Sequence, residues 1–137
     1  MRLFRIVLAA GLLLAASSPV FAMPKPKLVL TGTEQYQAGG KTWTRYKLSV
    51  TNSGMFTPDL FAASPNLPPC GLNKNSSRSW VDVYWGPTRL QGFCALSGLS
   101  SLWFAVEQGG TPPPRVYIKV TDRQTNTSVV SNEVLIK

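Results

Sequence analysis

The chain has 137 residues, fourteen basic, six acidic and no histidine. That is one domain's worth of sequence, and it lacks the commonest general base and zinc ligand. Ser-His-Asp and Cys-His nucleophiles are therefore excluded, no serine stands three positions before a lysine, and neither a Gly-rich phosphate loop nor an EF-hand loop occurs.

The start of the chain reads as an export signal. Met1 to Arg5 carries two arginines, Ile6 to Ala16 is a continuous apolar run, and Val20-Phe21-Ala22 is a small-residue cleavage site. The apolar run falls short of the roughly 20 residues needed to span a bilayer. No cysteine follows it to carry a lipid anchor. Cleavage after Ala22 leaves a single domain, residues 23–137, released into the periplasm or the medium with no transmembrane helix. Loss of Arg2 and Arg5 leaves twelve basic and six acidic residues, a net +6. A basic balance favours anionic partners without choosing among them. An exported protein rarely meets nucleic acid, so the expected partner is an envelope or extracellular protein or glycan. Two cysteines in such a chain point to one structural disulfide, Cys70–Cys94, since there is neither a C-x-x-C pair nor a flanking charge. The bridge would close about 25 residues and contribute about 3 kcal/mol, chiefly by restricting the unfolded chain.

No window of the mature chain sustains apolar residues at helical spacing, while short β-rich runs alternate with turn residues, the pattern of a sandwich or barrel. After a Pro/Lys lead-in, Leu28–Thr31 is the first expected strand. Lys41–Thr51, after Gly39-Gly40, alternates most cleanly: Tyr46, Leu48 and Val50 share one face, and Trp43, Arg45, Lys47 and Ser49 the other. Asn52-Ser53-Gly54 ends it as a turn. The prolines at 58, 65, 68 and 69 exclude a central strand from Met55–Pro69, which reads as an edge segment and a stiff approach to Cys70. Gly71–Ser77 is loop by composition. Arg78–Trp85 is a buried strand with bulky groups on both faces, and Thr88–Leu96 is its hairpin partner. Leu102–Val106 follows, with Leu102, Phe104 and Val106 on the core face. Arg115–Thr121 (Val116, Ile118 and Val120 inward) and Ser128–Ile136 form a closing hairpin, giving about seven strands.

The ending VYIKVTDRQTNTSVVSNEVLI resembles the last hairpin of fibronectin type III and related immunoglobulin-like domains. Tyr117 and Val120 stand on its alternating strand, and Ser131, Asn132 and Val134 at the step into the closing strand. Residues 67–104 resemble a small exported bacterial domain of uncharacterised function. The marks are Leu67-Pro68-Pro69-Cys70-Gly71, Asn73, Asn75, Ser77-Arg78, Trp80-Val81-Asp82, Gly92-Phe93-Cys94 and Leu102-Trp103-Phe104. These resemblances imply an all-β, immunoglobulin/fibronectin type III-like antiparallel sandwich with one disulfide, and carry no activity. The cysteines lie only 24 positions apart, a departure from the cross-sheet bridge of antibody-type domains.

Three sets of residues have chemistry to offer. Trp43, Arg45 and Lys47 put an indole between cations on one strand face, which suits an anionic glycan or a stacked base, and Trp85 could add a second platform. The plainer reading is a solvated face on which Arg45 covers Trp43. Asn73, Asn75 and Ser77 offer acceptors for a cation or a sugar, or simply serve the turn. Asp82 lies inside a buried strand and needs a partner; Arg78 or Arg89, or an outward position, would satisfy it more simply than catalysis. No metal site, cofactor or catalytic residue is expected. The leading expectation is a non-enzymatic exported binding module. The alternatives are a secreted inhibitor of a hydrolase or peptidase, with Pro65–Cys70 as a stiff docking loop, and a small hydrolase built on carboxylates.

Overall fold

The computed structural model describes residues 22–70, 76–96 and 98–136. The export signal up to Phe21, and Asn73 and Asn75 of the candidate loop, lie outside the described residues. The remainder is an all-β sandwich of two antiparallel sheets, compatible with an immunoglobulin/fibronectin type III-like fold. The first sheet holds β1 (Leu28–Ala38), β2 (Lys41–Val50) and β5 (Leu102–Glu107), in the order β1-β2-β5. The second runs β4 (Thr88–Cys94), β3 (Ser79–Trp85), β6 (Arg115–Asp122), β7 (Thr127–Val130), and β8 (Val134–Leu135) also pairs with β6.

Alternation decides which side chains meet between the sheets. Tyr46, Leu48 and Val50 from β2, Leu102 and Phe104 from β5, Val81 and Val83 from β3, and Val116, Ile118 and Val120 from β6 are all buried in one core. Tyr46 and Phe104 stack across β2 and β5 with ring centroids 5.0 Å apart. Burial of Val81 and Val83 settles the orientation of β3, which the sequence leaves open: Trp80, Asp82 and Tyr84 face outward.

Three expectations are corrected. The first strand runs to Ala38 rather than Thr31. Beyond Leu30 its alternation is polar on both faces, so no hydrophobic period marks it, and pairing with β2 alone holds it. Residues 55–61 form no edge strand. Two 3₁₀ turns, Ser53–Met55 and Pro58–Phe61, pack Phe56 and Leu60 into the core. The closing run is broken into β7 and β8 by residues 131–133.

The approach to Cys70 is tied down from several directions. The Cys70–Cys94 disulfide, with Cα atoms 5.5 Å apart, fastens it to edge strand β4. The Arg123 guanidinium donates to Pro68 O at 2.6 Å and Ser77 O at 3.0 Å. Beside it, Arg78 grips the buried Asp122 bidentately, Nε to Oδ1 at 2.9 Å and Nη2 to Oδ2 at 2.8 Å. This pairing holds the Asp122 carboxyl below the usual range, against the opposing effect of its burial, and the Gln124 N–H adds to the lowering.

Candidate functional site

The outer face of the first sheet is a grid of nine positions, because register places one residue from each strand in every row. The rows are Tyr36–Trp43–Glu107, Glu34–Arg45–Ala105 and Gly32–Lys47–Trp103. Arg45 is at the centre. Its guanidinium carbon lies 4.3 Å from the Tyr36 ring centroid and 4.6 Å from that of Trp103, so two aromatic rings at opposite corners share one cation. Its Nη1 is 2.6 Å from Glu34 Oε1, and Lys47 Nζ is 3.8 Å from Glu34 Oε2. The Arg45 hydrogen bond, with the Lys47 charge behind it, holds Glu34 below the usual carboxylate range. Arg45 Nε is buried with no hydrogen-bond partner among the described residues.

Trp43, Arg45 and Lys47 share one face, as the alternation predicts, in company that differs from the plainer of the two expectations. Arg45 does not cover Trp43; it lies between Tyr36 and Trp103, while the Trp43 indole N–H donates to Ala38 O at 3.2 Å. Trp103 was legible, since Leu102 and Phe104 inward means Trp103 outward. Tyr36 was not, because it sits in the stretch of β1 that carries no apolar alternation. Trp85 belongs elsewhere, exposed at the β3–β4 turn of the other sheet.

At one edge of the grid lies an open cleft of about 400 Å³, lined by Glu34, Arg45, Lys47 and Trp103 together with the hydroxyls of Thr31, Ser100 and Ser101. An aromatic side chain, three hydroxyl-bearing residues, two cations and one carboxylate suit a polyhydroxylated ligand, whose hydroxyls the polar groups can meet. A second recess, of about 280 Å³, lies between Met23-Pro24 and the 3₁₀ turns. Its charged groups are Arg78 and Asp122, already spent on each other.

The other candidates resolve into structure. Ser77 is fully buried, its Oγ donating to Ser79 O at 2.6 Å and accepting from Ser79 N–H at 3.2 Å, a local turn arrangement. Asp82 faces outward and accepts from both Arg89 Nε, at 2.7 Å, and Trp80 Nε1, at 2.8 Å. Glu34, Asp82, Glu107, Asp122 and Glu133 each lie within 4.0 Å of a cation. Among the described residues no group of three or more His, Cys, Asp or Glu is placed to hold a metal ion, and no helix is long and apolar enough to cross a membrane. No protein-family model matches the chain, and no curated protein or solved structure matches it.

Proposed function

We propose that this protein is an exported, non-enzymatic binding module that takes a saccharide on the outer face of its three-stranded sheet. The observation that carries this reading is the gathering of Tyr36, Trp43 and Trp103 around Arg45 on one solvent-facing grid, beside a cleft edged with hydroxyls. A rigid β scaffold holds these groups in place before any ligand arrives, which lowers the ordering cost of binding. Export rests on the N-terminal signal pattern, and the disulfide suits an oxidising compartment.

The test is a glycan array probed with the mature chain, followed by calorimetry on any hit with Trp103→Ala and Tyr36→Ala. Saturable binding weakened by both variants supports the reading. Retention of full affinity by both would remove this face from consideration.

One specific observation favours a second reading, a secreted inhibitor. Residues 64–69 form an exposed arch closed by Leu67 N–H to Ser64 O at 3.0 Å, tied to Ser76 through Ser64 N–H to Ser76 O at 2.9 Å, and held at Pro68 O by Arg123. Pro65, Asn66, Pro68 and Pro69 are exposed upon it. Such an arch is stiff enough to enter a hydrolase cleft with little further ordering. Assays against lysozymes and peptidases decide it: inhibition at micromolar protein supports the reading, and none discards it.

A further inference from the structure

Three strands of the second sheet build a second grid, on the opposite side of the sandwich. Strands β4, β3 and β6 place Cys94–Trp80–Thr121, Gly92–Asp82–Lys119 and Arg89–Tyr84–Tyr117 in successive rows. Here the centre is a carboxylate, Asp82, with one cation from each neighbouring strand. Arg89 and Lys119 outnumber it, so the grid carries a net positive charge.

The way Arg89 is held is distinctive. Only its Nε is spent on Asp82; neither Nη group has a hydrogen-bond partner among the described residues. The guanidinium lies across the bare backbone of Gly92, next to the Trp80 ring. A Cβ at position 92 would run into Arg89 Nη2 and come within 2.7 Å of Trp80 Cζ2. The Trp80 indole is itself pinned, its N–H donating to the same Asp82 oxygen. Lys119 Nζ sits 5.6 Å from the Tyr84 ring centroid and has no carboxylate within ion-pair distance among the described residues. The result is a half-exposed guanidinium fixed at one end by a carboxylate and from below by a glycine, its central carbon over the Trp80 ring at 5.9 Å from the centroid. A planar fork matches a carboxylate bidentately, and an indole face matches the C–H face of a pyranose ring.

We infer that this second face is a binding site for a uronate-bearing saccharide, its carboxylate on the unpaired Nη groups of Arg89 and its sugar ring alongside the part of Trp80 that Arg89 leaves uncovered. The site is independent of the Arg45 face. Arg45 spends Nη1 on Glu34, whereas Arg89 spends only Nε on Asp82 and keeps both Nη groups without a hydrogen-bond partner among the described residues.

The experiment titrates the mature chain with a short oligogalacturonide at low salt, following intrinsic tryptophan fluorescence and calorimetric heat. The methyl-esterified oligomer, which keeps the ring and loses the charge, is the first control, and a peptide with a free C-terminal carboxylate is the second. The expected result is saturable binding of the acid form, about tenfold or more weaker for the ester and for the peptide. Arg89→Lys, which keeps the ion pair to Asp82 but lacks the fork, should lose about as much. Gly92→Ala, which removes no polar group but displaces the guanidinium and crowds the Trp80 ring, should do the same. Circular dichroism and a thermal melt confirm that each variant is folded. Trp103→Ala on the other face should leave this binding unchanged, which separates this site from the saccharide face proposed above. Absence of saturable binding, equal binding of acid and ester, equal binding of the peptide, or wild-type affinity in both folded variants overturns the assignment.

Discussion

The side-chain amide of Asn132 pairs with the backbone of Leu28 as a strand would, accepting its N–H on Oδ1 at 2.8 Å and donating from Nδ2 to its C=O at 3.0 Å. The residues are 104 positions apart, one leading into β8 in the second sheet and the other opening β1 in the first. The neighbouring Ser131 accepts the Ile118 N–H on its Oγ at 2.9 Å. Together they account for the break in the closing strand: the Ser131 N–H still donates to Ile118 O at 2.9 Å, its Oγ takes the return bond, and the Asn132 side chain joins the sheets. Asn132→Ala removes two hydrogen bonds to a half-buried edge and should cost roughly 1–3 kcal/mol. Asn132→Asp keeps the acceptor but sets a carboxylate against the Leu28 carbonyl, so it should cost at least as much as the alanine. Urea melts of both variants measure this; midpoints equal to the wild type would mean the pairing contributes nothing.

Acid sensitivity should trace to Asp122. Because Arg78 lowers its carboxyl in the folded state, the stability that it contributes is fully present above the ordinary carboxylate value of about 3.9. That contribution is lost as pH falls through the lowered folded value. The wild type should therefore lose stability steadily below about pH 4. Asp122→Asn should be less stable at neutral pH and show a shallower acid limb. Chemical denaturation repeated from pH 7 down to pH 2 tests the sign, and parallel acid limbs for the two proteins would refute it.

Reduction should loosen the arch before it unfolds the sandwich. Cys70 anchors residues 64–69 to β4, while the core lies between the sheets and does not include the bridge. Replacing both cysteines with serine should lower stability by about 3 kcal/mol, the loop-closure figure for about 25 residues. Limited proteolysis should then cut first near Pro65–Pro69. Cleavage appearing first in the β1–β2 hairpin would contradict this ordering.

The parts of the fold legible in the sequence were those where water and core impose period two. Lys41–Val50, Arg115–Asp122 and Leu102–Glu107 each carry one apolar face, and each falls where the pattern puts it. The far half of β1 was invisible for the opposite reason: Thr33, Gln35 and Gln37 alternate with Glu34 and Tyr36, polar against polar, and only the cross-strand register reveals a strand. The candidate face was half legible on the same grounds. Trp43, Arg45 and Lys47 share a strand, so spacing alone unites them. Tyr36 and Trp103 join them through pairings that no local pattern encodes. Arg89 over Gly92 was likewise beyond reach, since nothing in the spacing Arg89-Leu90-Gln91-Gly92 says that a β-bulge beside Val83 and Tyr84 turns Arg89 back across the glycine.

The two outer faces should differ in their response to salt. On the first, Glu34 sits within 4.0 Å of both Arg45 and Lys47, so a ligand there meets two cations partly offset by one carboxylate. Binding of a neutral saccharide should change little between low and physiological ionic strength. Glu34→Gln removes that compensation and leaves two cations facing solvent beside Trp103. The variant should gain affinity for anionic polymers at low salt, lose most of that gain near 0.15 M, where the Debye length is about 8 Å, and keep the fold, because Glu34 contributes nothing to the core. Heparin-column elution of Glu34→Gln against wild type reads this directly. Identical elution positions would show that Glu34 does not set the charge of the face, and that the cations are shielded by the stacking of Arg45 between Tyr36 and Trp103 alone.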